Sequence, residues 1–232
     1  MISPFFRSSD RAFTLLHGDC IELLKHFSFK FDMIFADPPY FLSNGGISVQ
    51  SGKVVCVDKG EWDKGGTREY VESFNRAWIK ECREKLKDNG TIWVSGTYHN
   101  IFSIANILTE SGFKILNVVT WAKTNPPPNI SCRYFTYSTE FIIWARKSPK
   151  VPHCYNYEVM KQINGDKQVT DVWTLPAIAR WKNRVVSIPH RNLCQCCLVL
   201  FWHRPTVVHG FLIHSPEVVP QALPPIYWAG VS

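Results

Sequence analysis

The six residues Phe31-Asp32-Met33-Ile34-Phe35-Ala36 run without a break into Asp37-Pro38-Pro39-Tyr40. A short, largely apolar run bounded by turn formers reads as a buried strand. Proline fixes its own φ, has no N–H and keeps the preceding residue extended, so the strand must end where the prolines begin. In open α/β sheets the carboxyl ends of strands are where ligands bind. The rim placed there is stiff and rich in acceptors. An aromatic amino group offers two N–H donors in the plane of its ring, which the Asp37 carboxylate and the Pro38 carbonyl could accept while Tyr40 stacks on the ring face. Holding both hydrogens favours a more tetrahedral nitrogen whose lone pair can attack an electrophile, the chemistry of alkylating an exocyclic amine. The alternative is a proline-rich turn that only closes a strand.

Alternation of strand and helix continues on both sides. Phe13 to His17 reads as a strand, Gly18-Asp19-Cys20 as its turn and Ile21 to Phe27 as a short helix with Ile21, Leu24 and Phe27 on one side. Asp19 could bind a ribose hydroxyl or an amino group, or simply cap the helix. A polar loop, Ser43 to Gly66, follows the proline motif, and loops of that length usually serve a function. Thr67 to Leu86 is amphipathic, with Tyr70, Val71, Phe74, Ala77, Trp78, Cys82 and Leu86 on one face, and Asn89-Gly90 is expected to stop it. Thr91 to Val94 reads as a strand. A helix starts near Tyr98 and closes at Gly112, and further strands run from Ile115 to Trp121 and from Phe141 to Ala145. The pattern predicts an open, doubly wound α/β sheet.

Between the last two strands lies Thr124-Asn125-Pro126-Pro127-Pro128-Asn129-Ile130-Ser131-Cys132-Arg133-Tyr134-Phe135. Polar, proline-stiffened and aromatic, it could wall a base pocket with Arg133 on phosphate, or be an inert crossover loop. Lys147 to Trp173 is either a target-recognition segment or a connecting excursion. A net charge of +7 points to an anionic partner, nucleic acid first. Neither a run of transmembrane length nor a secretory leader is present, so no membrane partner and a cytoplasmic location are expected. The eight scattered cysteines fit reduced thiols there.

With Gly18-Asp19-Cys20, Asp37-Pro38-Pro39-Tyr40 and the NPPPN loop in this order, the chain resembles the permuted, beta-type amino DNA methyltransferases. Within them it is most similar to the second adenine methylases of restriction systems that recognise GATC, through MIFADPPYFLSNGGIS, GEWDK, TNPPPNISCRYFTYSTE and WARK. The resemblance covers roughly residues 11 to 181. It implies the Rossmann-like S-adenosylmethionine-dependent methyltransferase fold, with a catalytic region over residues 1–181 in which 42–66 and 148–172 are candidate DNA-contacting segments. It implies N6-adenine methylation of DNA with S-adenosylmethionine as cofactor. The flipped base would be held by Asp37, Pro38, Pro39 and Tyr40, with Asp19, Cys20 and Asp37 near the cofactor and Asn125, Arg133 and Tyr134 on DNA. Methylation of cytosine N4 is the alternative amine chemistry. A remnant that only binds nucleic acid weakly is the alternative without catalysis.

Residues 182–232 depart from the family pattern, which ends in an HPTQKP-like segment and a glycine loop close to LDPFxGSGTT. Neither is present, so the sheet is expected to be incomplete at the C-terminus, with an edge left open and this tail poorly packed. Shifting the reading frame by one base fixes two bases of every new codon. Read so, Ser187 to Cys194 permit HPTQKPL and Leu212 to Gly230 permit DPFTGSSTTGIAANLLGR. Loss of one A at Trp181-Lys182 would create the shift, so the tail reads as an out-of-frame translation. His190, Cys194, Cys196, Cys197, His203, His209 and His214 in it lack a paired Cys-x-x-Cys, and no metal is expected.

Overall fold

In a computed structural model of the chain, the described residues are 4–9, 13–41, 47–50, 53–56, 66–176, 196–204 and 207–214. The elements run β1 (Phe6–Arg7), β2 (Phe13–Gly18), α1 (Cys20–Lys25), β3 (Phe31–Asp37), β4 (Ile47–Gln50), β5 (Lys53–Cys56), α2 (Arg68–Lys85) and β6 (Leu86–Gly96). They continue with α3 (Ile101–Glu110), β7 (Lys114–Lys123), β8 (Thr139–Arg146), α4 (Tyr157–Ile163), β9 (Val172–Leu175), β10 (Cys196–Arg204) and β11 (Val207–His214).

Local chemistry sets the helix ends. Asp19 Oδ1 accepts the Glu22 N–H at 3.0 Å to start α1, and Thr67 Oγ1 accepts the Tyr70 N–H at 3.3 Å to start α2. Helix α3 closes on Gly112, whose φ of +82° is easy only for glycine. Asn89-Gly90 does not stop α2. The helix ends at Lys85, Leu86 is already extended and fully buried, and both Asn89 and Gly90 belong to β6. Pairing of Leu86 with Phe31 supplies the strand hydrogen bonds that end the helix a turn early.

Nine strands form one sheet in the order β1-β2-β11-β10-β3-β6-β8-β7-β9, and β4 and β5 form a separate hairpin. Strand β3 pairs in parallel with β6 and with β10, while β8 runs antiparallel between β6 and β7. The carboxyl ends of β2, β3, β6 and β7 therefore share one edge, and the loop 124–138 between β7 and β8 lies at that same edge.

The sheet is not doubly wound among the described residues. Ile34 and Ala36 of β3, Ile92 and Val94 of β6 and Ile143 and Ala145 of β8 pack in one core with Leu24 of α1, Trp78 of α2 and Ile104 of α3. Since side chains alternate across a strand, all three of these helices lie on one face. Asp37 projects from the other. Helix α4 buries no residue.

The open sheet edge expected beside β3 is corrected. Strands β10 and β11 fill the gap between β3 and β2, with Val199 opposite Phe35 and Phe211 opposite Leu15. The run Leu198-Val199-Leu200-Phe201-Trp202 is apolar and β-prone, so pairing it satisfies strand edges that would otherwise be unmet. Residues 177–195 and 215–232 lie outside the described residues, and with them the HPTQKPL stretch, His190 and Cys194.

Candidate active site

Asp37 is the last residue of β3, and register carries a partner to it. Ala36 stands opposite Val94, so the next residue of β6, Ser95, falls beside Asp37 on the sheet face away from the helices. Tyr40 Oη donates to Asp37 Oδ1 at 2.7 Å, and Ser95 Oγ donates to that same oxygen. Ser95 is buried, its hydroxyl also lies 3.4 Å from the Ala36 carbonyl, and Tyr40 Oη approaches Ser95 Oγ at 3.4 Å. Among the described residues no hydrogen bond reaches Asp37 Oδ2 or the Pro38 carbonyl. Those are the two acceptors an amino group requires.

Pro38 and Pro39 are buried, and the motif is anchored behind them by Phe41. This residue adopts φ +53°, a left-handed conformation costly for a bulky side chain, and its ring meets Phe74 of α2 edge-on at 5.8 Å. Strain of this kind persists only where packing over-determines it. Further along the edge Lys123 and Glu140 form an ion pair, and Glu140 adds negative charge near Tyr40.

Burial first, then the Asp37 charge, push the Tyr40 phenol well above its ordinary value of 10.0, so it stays protonated and keeps donating. Because the folded value is raised, its contribution to stability is complete below pH 10.0 and fades as pH rises through the folded midpoint. A tyrosinate absorbance titration of wild type minus Tyr40→Phe is expected to show no ionisation of Tyr40 at pH 10.0, where a free tyrosine is half ionised. A midpoint at that pH would contradict the geometry.

The loop 124–138 forms an aromatic rim on the same edge. Asn129 braces it, donating to the Tyr134 carbonyl at 2.6 Å and accepting from the Ser131 N–H at 3.0 Å. Tyr137 stacks on Tyr98 with centroids 4.6 Å apart, and Tyr134 tilts against Tyr137. Phe135 is 94% exposed, and Asn125 and Arg133 of the same loop are exposed as well. The structure thus puts Asn125, Arg133 and Tyr134 on the edge that carries Asp37.

Asp19 and Cys20 are placed differently. Asp19 is exposed and caps α1, the second of its two readings, while Cys20 is 2% exposed inside the core, where burial and the Asp19 charge push its thiol up. They share the carboxyl edge with Asp37, but β10 and β11 stand between, a separation of about 14 Å at the usual strand spacing. Of the candidate DNA segments, 42–66 contributes the hairpin β4–β5, its other positions before Gly66 lying outside the described residues. In 148–172, His153 and Tyr155 pack on Trp144 of β8 at 5.1 and 5.6 Å, so that part covers the sheet. Ser95 and Phe41 escaped the sequence reading, although a serine one step beyond a buried strand residue and next to a glycine was a visible marker. Among the described residues no helix is long and apolar enough to cross a membrane, and no group of three or more His, Cys, Asp or Glu is placed to hold a metal.

With its open α/β sheet, strand-end carboxylate and aromatic rim, the chain belongs to the N6/N4 DNA methylase family, whose sequence profile matches residues 31–191. It is 55% identical over 182 residues to the Type II methyltransferase M2.MboI of Moraxella bovis, covering 78% of this chain and 67% of that one. It is 54% identical over 176 residues to M2.DpnII of Streptococcus pneumoniae, covering 75% of this chain and 65% of that one. The matched part spans about two thirds of these relatives. The cytosine-N4-specific PvuII DNA methyltransferase shares the fold, with a TM-score of 0.50 at 18% identity over 69% of this chain and 56% of that one.

Proposed function

We propose that the chain is built as a site-specific DNA N6-adenine methyltransferase of a restriction-modification system, acting on GATC in the cytoplasm with S-adenosylmethionine as methyl donor. The observation that carries this reading is the Asp37 carboxylate, tied at Oδ1 by Tyr40 and Ser95, with no hydrogen bond to Oδ2 or to the Pro38 carbonyl among the described residues.

An adenine turned out of the duplex, at a cost of a few kcal/mol, would place its amino group on those two acceptors. Accepting both N–H bonds draws the nitrogen lone pair out of the ring, and Oδ2 stands ready to take the proton that the alkylated nitrogen releases. Tyr40 would cover the base face. Asn125, Arg133 and Tyr134 would hold the flanking strand, Arg133 on phosphate and Tyr134 by stacking.

S-adenosylmethionine supplies a methyl carbon on a positively charged sulfur. The described residues fit the amine end of this reaction and not the donor's cradle, because Asp19 is engaged as a cap, Cys20 is in the core and no glycine-rich turn accompanies them. Residues 182–232 are accordingly read as an out-of-frame translation of the region that carries the glycine loop. Recovery of two long family motifs in one shifted frame supports this.

The test is methyl transfer from labelled donor to unmethylated DNA by the chain with its reading frame restored at Trp181-Lys182, with the product digested to nucleosides. Label is expected on N6-methyladenine from GATC-containing duplexes and absent from duplexes lacking that site. Label on N4-methylcytosine would replace this reading with its alternative.

A further inference from the structure

We infer that Ser95 is a positioning residue, whose hydroxyl, with that of Tyr40, selects which carboxylate oxygen of Asp37 faces the substrate amine. This rests on the functional reading above and adds a residue to it.

A carboxylate at the end of a strand can rotate about its last side-chain bond, and its two oxygens are chemically equal until something distinguishes them. An sp² oxygen accepts along two lone-pair directions. Here both are used on Oδ1, one by Tyr40 and one by Ser95, so Oδ1 is spent and Oδ2 is the oxygen left for an incoming N–H. The two donors differ in what holds them. Tyr40 follows two prolines in a segment closed by the strained Phe41, whereas Ser95 sits inside the central strand β6, buried, one register step from Val94. Gly96 follows it because a Cβ there would come within 2.7 Å of Asn100 Oδ1, which keeps the turn into α3 tight and the end of the strand fixed. Ser95 thus fixes the carboxylate from outside its own loop, so that the plane of the Asp37 carboxylate is referred to the sheet as well as to the proline motif.

The experiment uses the full chain with ¹³C at the aspartate carboxyls, the Asp37 resonance being assigned by its loss in Asp37→Asn. Ser95→Ala is expected to move this resonance and Ser95→Thr, which keeps the hydroxyl, to return it to the wild-type position. In methyl transfer by the chain with its frame restored at Trp181-Lys182, Ser95→Ala is expected to lower kcat about 10- to 100-fold with KM for DNA and donor within about twofold of the unsubstituted restored chain, and Ser95→Thr to recover most of the loss. An unmoved Asp37 resonance in Ser95→Ala, or a loss of activity that lies in KM, would overturn the inference. A moved resonance together with no methyl transfer even by the frame-restored chain supports the positioning role and counts against the functional reading alone.

Discussion

Asp37→Ala is expected to lower methyl transfer about 10²- to 10³-fold, the usual cost of removing one preorganised hydrogen-bonding group aimed at the reacting atoms. The side chain is half-buried and forms no ion pair among the described residues, so the variant should fold and the loss should appear in kcat. Asp37→Asn sharpens the expectation. With Tyr40 and Ser95 both donating to one atom, the amide must turn its oxygen towards them, which leaves its NH₂ facing the substrate NH₂. Two donors then confront each other, and Asp37→Asn should be as poor as Asp37→Ala despite its matching shape. An Asn variant with more than about a tenth of wild-type activity would show that the carboxylate is not oriented as described, since a lost charge-assisted bond is worth at least tenfold.

Restoring one A at the Trp181-Lys182 junction should have a comparably large effect on the other half of the reaction. The chain as it stands is expected to show no saturable binding of S-adenosylmethionine by calorimetry, and the restored one to bind it at micromolar concentration, a gain of at least about 100-fold or ~2.7 kcal/mol. Methyl transfer should appear together with binding, and the Asp37 variants are best compared in that background. Sequencing the encoding DNA is the inexpensive precursor. An uninterrupted frame whose wobble bases spell neither HPTQKPL nor the glycine loop would end the proposal, and so would tight donor binding by the present chain.

At Asp19 and Cys20 spacing along the chain does not separate a cap or core role from a ligand role. An aspartate after a strand satisfies helix N–H groups whether or not a ligand is near, because orphan donors at a helix start demand an acceptor in every protein. The structure resolves its side chain as a cap and buries Cys20. Proline, by contrast, carries its constraint in its own ring, so Asp37-Pro38-Pro39-Tyr40 ends its strand wherever it sits. The tail reverses the lesson. A glycine-loop motif is absent from it, yet enough apolar β-prone residues remain for β10 and β11 to pair with β3 and β2, since backbone pairing asks for propensity and not for a motif.

The sequence by itself determined what depends on neighbours within a turn or a strand: the helix starts at Asp19 and Thr67, the stop at Gly112, the strand ending at Asp37 and the order in which strands and helices alternate. On α2 it placed Trp78 and Cys82 inward correctly but also Tyr70 and Ala77, which are exposed, and missed Asn75 and Ile79. Only the tertiary structure decided that three helices cover one face, that the rim loop shares an edge with Asp37, and that Ser95 donates to an acid 58 positions away. Capping and periodicity act over a few residues and can be read along the chain. Register between β3 and β6 is set by burial of whole strands against the core, and one residue of slip would turn Ser95 to the helix side and leave Asp37 with Tyr40 alone.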